Sequence, residues 1–201
     1  MGIVINTMEQ GLIYAIMAMG VLITYSILDF PDLSVDGTFP LGAAVSVLMV
    51  TRGCDPVLAL LCAALAGAAA GFLTGVIHVK LKVRDLFSGI IMMTALYAVN
   101  MHVAAGSLTD GKANVAFFST RKIHYTTIFE NNWLTNAFPK WLEPYTVLLV
   151  VLLIVIVVKL ALDWFLKTRA GYLLRAVGDN DMVVTSLARD KGSIKIMGLM
   201  I

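Results

Sequence analysis

The sequence predicts an all-α fold: a polytopic transmembrane helical bundle with a broken second helix and one further helix on the cytoplasmic side. Three observations predict it. Of 201 residues, 59% are hydrophobic and 14% charged, where ordinary soluble domains carry about 45–50% apolar and about 25% charged residues. Mean hydropathy is +0.87, so the chain has more apolar surface than a core of this size can hide, and the excess faces lipid. The apolar residues also fall into runs close to the roughly 20 residues that a helix needs to cross a bilayer. Finally, the charges are segregated. Lys80, Lys82 and Arg84 form one basic cluster, and Lys167, Arg169, Arg175, Arg189, Lys191 and Lys195 crowd another stretch.

The first span is expected over 11–28, a run without a charged residue that Asp29-Phe30-Pro31-Asp32 brings to an end, because proline removes a donor and disfavours helix in the residue before it. A second apolar segment, 39–51, is short for a crossing. Pro40 is expected in its first turn, and the polar stretch 29–38 before it reads as a discontinuity of the kind tolerated at depth where it is buried or lines a cavity. Residues 56–79 form a third span in which Gly67, Gly71 and Gly75 recur every four residues, giving a smooth face for helix packing. The fourth span, 86–105, contains Asn100 and His102, polar groups that are costly against lipid and should point inward, either to bond a neighbouring helix or to line a route.

The connection 106–143 is polar, with Phe117, Phe118, Tyr125, Phe129, Trp133, Phe138 and Trp141 spread along it. Aromatics beside spans favour the headgroup layer, so one or two short interfacial helices are expected there. Residues 145–166 make the fifth span, in which Lys159 and Asp163 lie four apart and can pair. A sixth apolar segment starts at 194 and stops at Ile201. A half-span leaves backbone groups unsatisfied in lipid, which suggests a piece of a longer protein, one transmembrane domain over 1–201. Basic loops prefer the cytoplasm, which puts 80–85 and 167–193 inside and 106–143 outside. The N-terminus is then outside if the second segment crosses, and inside if it is re-entrant.

Several function classes find no support. A net charge of +2 does not suggest a nucleic-acid partner. Cys54 and Cys62 fit no metal spacing and read as packed apolar residues. No GxxxxGK[ST] loop, HExxH motif or nucleophile triad is present, so neither catalysis nor a cofactor or metal is expected. His78, His102 and His124 are scattered, and His78, near Lys80, reads as an interface residue.

The segment after the fifth span, GYLLRAVGDNDMVVTSLARDKGSIKIMG, is basic and partly amphipathic. It resembles the cytoplasmic coupling segment of ABC-type importer permeases of the branched-chain amino acid and ribose type, whose Gly-x-x-x-Arg-Ala-Val-Gly-x-Asn run is matched by Gly171, Arg175, Ala176, Val177, Gly178 and Asn180. Near the other end, Asp32, Leu33, Ser34, Val35 and Gly37 match that family's Asp-Leu-Ser-Val-x-Gly segment. The wording LDFPDLSVDGTFPLGAA is similar to a subgroup paired with lipoprotein-type binding proteins for amino acids. Two departures stand out: Leu187 to Gly192 replace the family's usual Gly-Ile, and its later Gly-Leu-Ala-Gly region is missing.

The resemblance implies a permease subunit in a bacterial cell membrane, forming the path for a small polar solute, an amino acid first. It implies three protein partners: an ATP-binding ABC subunit, an extracytoplasmic substrate-binding protein and a second permease subunit, most simply a homodimer. A coupling segment over 169–192, with Gly171, Arg175, Ala176, Val177, Gly178, Asp179 and Asn180, would sit on the ATPase subunit. Asp29, Asp32, Ser34, Asp36, Thr38, Asn100 and His102 are the candidates for the translocation path, though the residues from 29 to 38 read equally as a capped loop. The competing class is a secondary transporter or channel without an ATPase, whose marks would be inverted repeats and paired intramembrane charges; neither is evident.

Overall fold

The computed structural model describes residues 2–52, 54–107, 146–179 and 191–201. All elements among them are helical: α1 (Gly2–Leu22) running into a π-helical turn (Ile23–Ile27), α2 (Val35–Thr51), α3 (Pro56–Lys80), α4 (Asp85–Ser107), α5 (Thr146–Leu166), α6 (Arg169–Asp179) and α7 (Lys191–Leu199). The expected interfacial helices of 106–143 lie outside the described residues beyond Ser107, as do Asn180 and residues 181–190 of the coupling segment.

Four helical stretches are long and apolar enough to cross a bilayer: Ile3–Ile27, Pro56–Lys80, Asp85–Ala104 and Val147–Leu166. Only 11–22% of the residues in their most apolar windows are buried within the chain. The remaining leucines, isoleucines and valines face outward, which water does not tolerate at this density and lipid does. The chain is a multi-pass membrane protein.

The expected boundaries need two corrections. Helix α1 starts at Gly2, not 11, since nothing in the polar head, which includes Thr7 and Glu9, breaks a helix. Helix α2 starts at Val35, so Pro40 sits inside it rather than in its first turn. The cause is Asp32: its Oδ1 accepts the Ser34 N–H at 2.8 Å, a local turn that lets the helix begin directly after Ser34. The discontinuity therefore falls at 28–34, before α2. Lys159 and Asp163 are both exposed and form no ion pair with each other.

Two compact units organise the described residues, one of α1, the π-helical turn, α5, α6 and α7 up to Gly198, the other of α2, α3, α4 and residues 199–201. In the first, α1 packs on α5, and α6 packs on both α5 and the π-helical turn. In the second, α2 packs against α3 and α4, with Leu41, Ala70, Met92 and Leu96 as its buried apolar centre. Among the α3 glycines, Gly71 is the close contact: a Cβ there would run into the backbone carbonyl of Leu199. Gly75 is buried, whereas a Cβ on Gly67 would meet none of the described residues within 4 Å.

The turn between α3 and α4 is held by His78, whose Nδ1 lies 3.0 Å from Asp85 Oδ1 and 2.8 Å from the Val83 carbonyl. Lys82, with φ of 55°, reverses the chain there. Asp85 stands in the first turn of α4, where a carboxylate is favoured by the helix dipole.

Candidate functional site

The unit of α2, α3 and α4 contains a cavity of about 310 Å³ lined by Asp36, Gly37, Pro40 and Ala44 of α2 and by Met93, Tyr97, Asn100, Met101 and Ala104 of α4. It exists because of how the two helices meet. Gly37 allows close approach: a Cβ there would stand 3.0 Å from Leu96 Cβ and 3.2 Å from Met93 Cα. Two turns further along α2 and one turn past Asn100 on α4, small Ala44 and Ala104 leave room. Pro40 has no N–H to give the Asp36 carbonyl four residues back, so an acceptor of α2 is left without its usual intrahelical partner at the cavity.

Asn100 ties the helices together, its Nδ2 donating to the Gly37 carbonyl at 2.9 Å. Its Oδ1 is buried and has no hydrogen-bond partner among the described residues. A bond of this kind contributes about 0.5–1.5 kcal/mol net, and a buried orphan acceptor costs about 1–3 kcal/mol. The amide therefore adds little stability. A buried polar group that does not stabilise, beside a cavity in a membrane helix, points to a functional role.

The lining is mainly apolar, with the exposed Asp36 carboxylate and the Tyr97 hydroxyl as its polar side chains besides Asn100. It contains acceptors and no cation. Such a cavity is at the small end of ligand pockets and suits a small molecule with a cationic end and an apolar body.

Of the seven residues expected along a path, Asp36 and Asn100 come together here. The others lie elsewhere. Asp32 forms the turn before α2, and that turn lies on α4, where a Cβ at Gly89 would stand 2.8 Å from Leu33 N. Ser34 is buried, Thr38 Oγ1 donates to the Val35 carbonyl at 3.3 Å, and His102 is exposed. Asp29, with φ of 52°, closes the π-helical turn. The sequence did not single out Tyr97, Met93 or Met101 for a site. Their spacing along α4 with Asn100 and Ala104 places them on one helical face, but nothing in hydropathy separates that face from the others.

The second place of interest is α6. Its inward residues are Gly171, Leu174 and Val177, and Arg169, Tyr172, Arg175 and Asp179 are exposed. The corner before it is built by Thr168, whose hydroxyl donates to the Phe165 carbonyl at 2.6 Å and accepts the Gly171 N–H at 3.5 Å. At Gly171 a Cβ would collide with the Leu166 backbone, so this glycine lets the chain turn sharply from α5 into α6. The segment 169–179 thus separates into a docked face carrying Gly171 and Val177 and a free face carrying Arg175 and Asp179, with Ala176 and Gly178 half-buried between.

Known proteins resemble this chain along almost its whole length. Residues 3–201 match the family model described as branched-chain amino acid transport system / permease component. The chain is 41% identical over 198 residues to a tyrosine transport system permease protein of Clostridioides difficile (strain R20291), covering 98% of this chain and 59% of that one. It is 29% identical over 201 residues to an uncharacterized protein of Rickettsia prowazekii (strain Madrid E), covering 100% of this chain and 64% of that one. The chain thus spans about three-fifths of the length of these relatives. No solved structure matches it. With almost every residue inside the family match and the spans laid out as above, this chain belongs to the branched-chain amino acid transport system permease family.

Proposed function

We propose that the chain is part of a permease subunit of an ATP-driven importer in a bacterial cell membrane, forming one domain of the path for an amino acid. The observation that carries this reading is α6: a short amphipathic helix that follows a membrane span, is docked by Leu174, and presents Tyr172, Arg175 and Asp179 outward. A free charged face on a firmly seated helix is what a partner subunit needs to grip. The partners are an ABC subunit that hydrolyses ATP, an extracytoplasmic binding protein, and a second permease subunit.

The cavity between α2 and α4 is the substrate's contact in this reading. An amino acid's ammonium group suits the Asp36 carboxylate, and its side chain suits Met93, Tyr97 and Met101. The name of the Clostridioides difficile relative, a tyrosine transport system permease, supports an amino acid with an aromatic side chain. Ser34, Asp32 and Thr38 support the start of α2 in this scheme, with Asp29 and His102 remaining candidates for contacts elsewhere on the route.

The test is to purify the complete gene product from its native membrane in mild detergent and identify what accompanies it. An ATP-binding subunit should co-purify, and Arg175→Glu should reduce its recovery and uncouple ATP hydrolysis from uptake by about tenfold or more. A clean permease without an ATPase would overturn the reading in favour of a secondary transporter or channel. Unchanged coupling in Arg175→Glu would remove α6 from the interface.

A further inference from the structure

The family motif treats Gly178 as one residue of a coupling segment, but its surroundings place it at a joint. A Cβ at Gly178 would collide with the carbonyl of Ile27, the last residue of the π-helical turn, and would stand 3.3 Å from the Leu28 carbonyl carbon. Ile27 lies at a helix C-terminus, where carbonyls run out of intrahelical donors. Helix α6 is thus laid backbone-to-backbone on the end of α1.

The contact is continued by side chains. Leu28 and Leu174 are 2% and 0% exposed, and both approach Gly198 of α7, where a Cβ would stand 2.9 Å from Leu174 Cδ1 and 3.2 Å from Leu28 Cδ2. With these apolar side chains packed around the Gly178–Ile27 contact, a shift of α6 bears directly on the end of α1.

What it would carry is an unusual piece of helix. Over Ile23–Ile27 the hydrogen bonds widen: Leu28 N–H donates to the Ile23 carbonyl at 3.0 Å and Phe30 N–H to the Thr24 carbonyl at 2.9 Å. Asp29 then adopts a left-handed φ of 52° and Phe30 is fully buried, the features of a helix stop with an apolar anchor. A π-helical turn is an α-helix holding one residue too many, less favourable than the regular form and frequent at functional sites. It can be tightened or loosened at lower cost than a regular turn.

We propose that Gly178 and the Ile27 carbonyl are positioning groups that link α6 to the π-helical turn, so that displacement of α6 by the ATPase subunit is delivered to the end of α1. This rests on the coupling role proposed above for α6. The chain runs directly from this turn into the polar residues 29–34, so the displacement enters the discontinuity before α2.

The experiment is hydrogen exchange on the complete permease assembled with its ATPase subunit, with and without a trapped ATP analogue. Alongside it run deletion of Ser26, an exposed residue of the turn, and Gly178→Ala. Removing one residue converts the π turn to α-helix while keeping the flanking faces in phase. In the unaltered protein, nucleotide should change exchange both in 169–179 and in 23–30. In the deletion variant the 169–179 response should persist, the 23–30 response should vanish, and substrate moved per ATP should fall about tenfold at unchanged basal hydrolysis. Gly178→Ala should show the same loss in 23–30. A wild-type response confined to 169–179 overturns the joint while leaving the coupling reading intact. So does a deletion variant with normal transport per ATP. Absence of any nucleotide response in 169–179 overturns the coupling reading and the joint together. The wild-type comparison decides the matter even where the deletion variant does not assemble.

Discussion

Gly37 and Gly178 each let one helix lie close against another, yet the two seams they make differ in what surrounds the contact. At the first, between α2 and α4, the glycine's own carbonyl accepts from Asn100 at 2.9 Å, Pro40 withholds a donor one turn further, and a cavity of about 310 Å³ stays open. At the second, Gly178 meets the Ile27 carbonyl, and Leu28 and Leu174, at 2% and 0% exposure, close around it. Close approach alone therefore does not decide whether a seam is open. The flanking residues decide it: alanines and a proline hold space, and leucines fill it. An open seam with a few polar groups suits a passing solute, and a filled seam suits the transfer of force.

The largest expected effect comes from closing the open seam. Gly37→Leu must place a side chain where Leu96 Cβ would lie 3.0 Å and Met93 Cα 3.2 Å from its first carbon. One of those atoms is backbone, so the helices have to part. Overpacking of this kind costs about 1–3 kcal/mol, and uptake should be lost along with the cavity's shape. Thermal unfolding in detergent and uptake into vesicles read the two effects separately. A Gly37→Leu variant that melts and transports as wild type would mean that α2 and α4 are not held at this distance.

Asn100→Leu should separate stability from function. The substitution removes a bond of about 0.5–1.5 kcal/mol but also an orphan acceptor costing about 1–3 kcal/mol, so the unfolding free energy should fall by no more than about 0.5 kcal/mol or rise by up to about 2.5 kcal/mol. Uptake should fall several-fold if the amide serves the cavity. A clear drop in melting with transport per folded protein intact would make Asn100 a structural tie and nothing more.

The difference between the seams also explains what could be read from the sequence. Pro56 opens α3 as expected, because proline at the first helical position is a local signal. The membrane spans followed from hydropathy alone. Which face of α4 meets α2 did not, because a helix in lipid is apolar on all sides and its packed face has no periodic signature; Tyr97 and Met93 went unmarked for that reason. In α6, which lies outside the spans, the phase is visible: Gly171, Leu174 and Val177 recur every three residues on the docked side. The π-helical turn left no sign at all, since ITYSI is as compatible with an α-helix. Pro40 misled as a start signal, because the turn that starts α2 belongs to Asp32, eight residues earlier. The path candidates divide by position for a related reason: several of the polar residues between 29 and 38 serve to end one helix and begin the next, and among them Asp36 lines the cavity.

The smallest expected effect lies on α3, where two glycines four residues apart have opposite surroundings. At Gly71 a Cβ would collide with the Leu199 carbonyl, while at Gly67 it would meet none of the described residues within 4 Å. Within one chain, Gly67→Ala should therefore be neutral or stabilising by up to about 1 kcal/mol, the usual gain of alanine over glycine in a helix interior. Small residues at this spacing in membrane helices serve close helix approach, and at Gly67 none of the described residues stands within 4 Å of where a Cβ would be. In the reading proposed above, a second permease subunit would fill that place. Two measurements on Gly67→Ala decide it, the melting of the protein and its mass in detergent. Unchanged mass with equal or higher melting leaves Gly67 facing lipid. A halved mass with the fold intact puts the subunit contact at this glycine, because the added methyl group then meets a neighbour that only the assembled protein supplies.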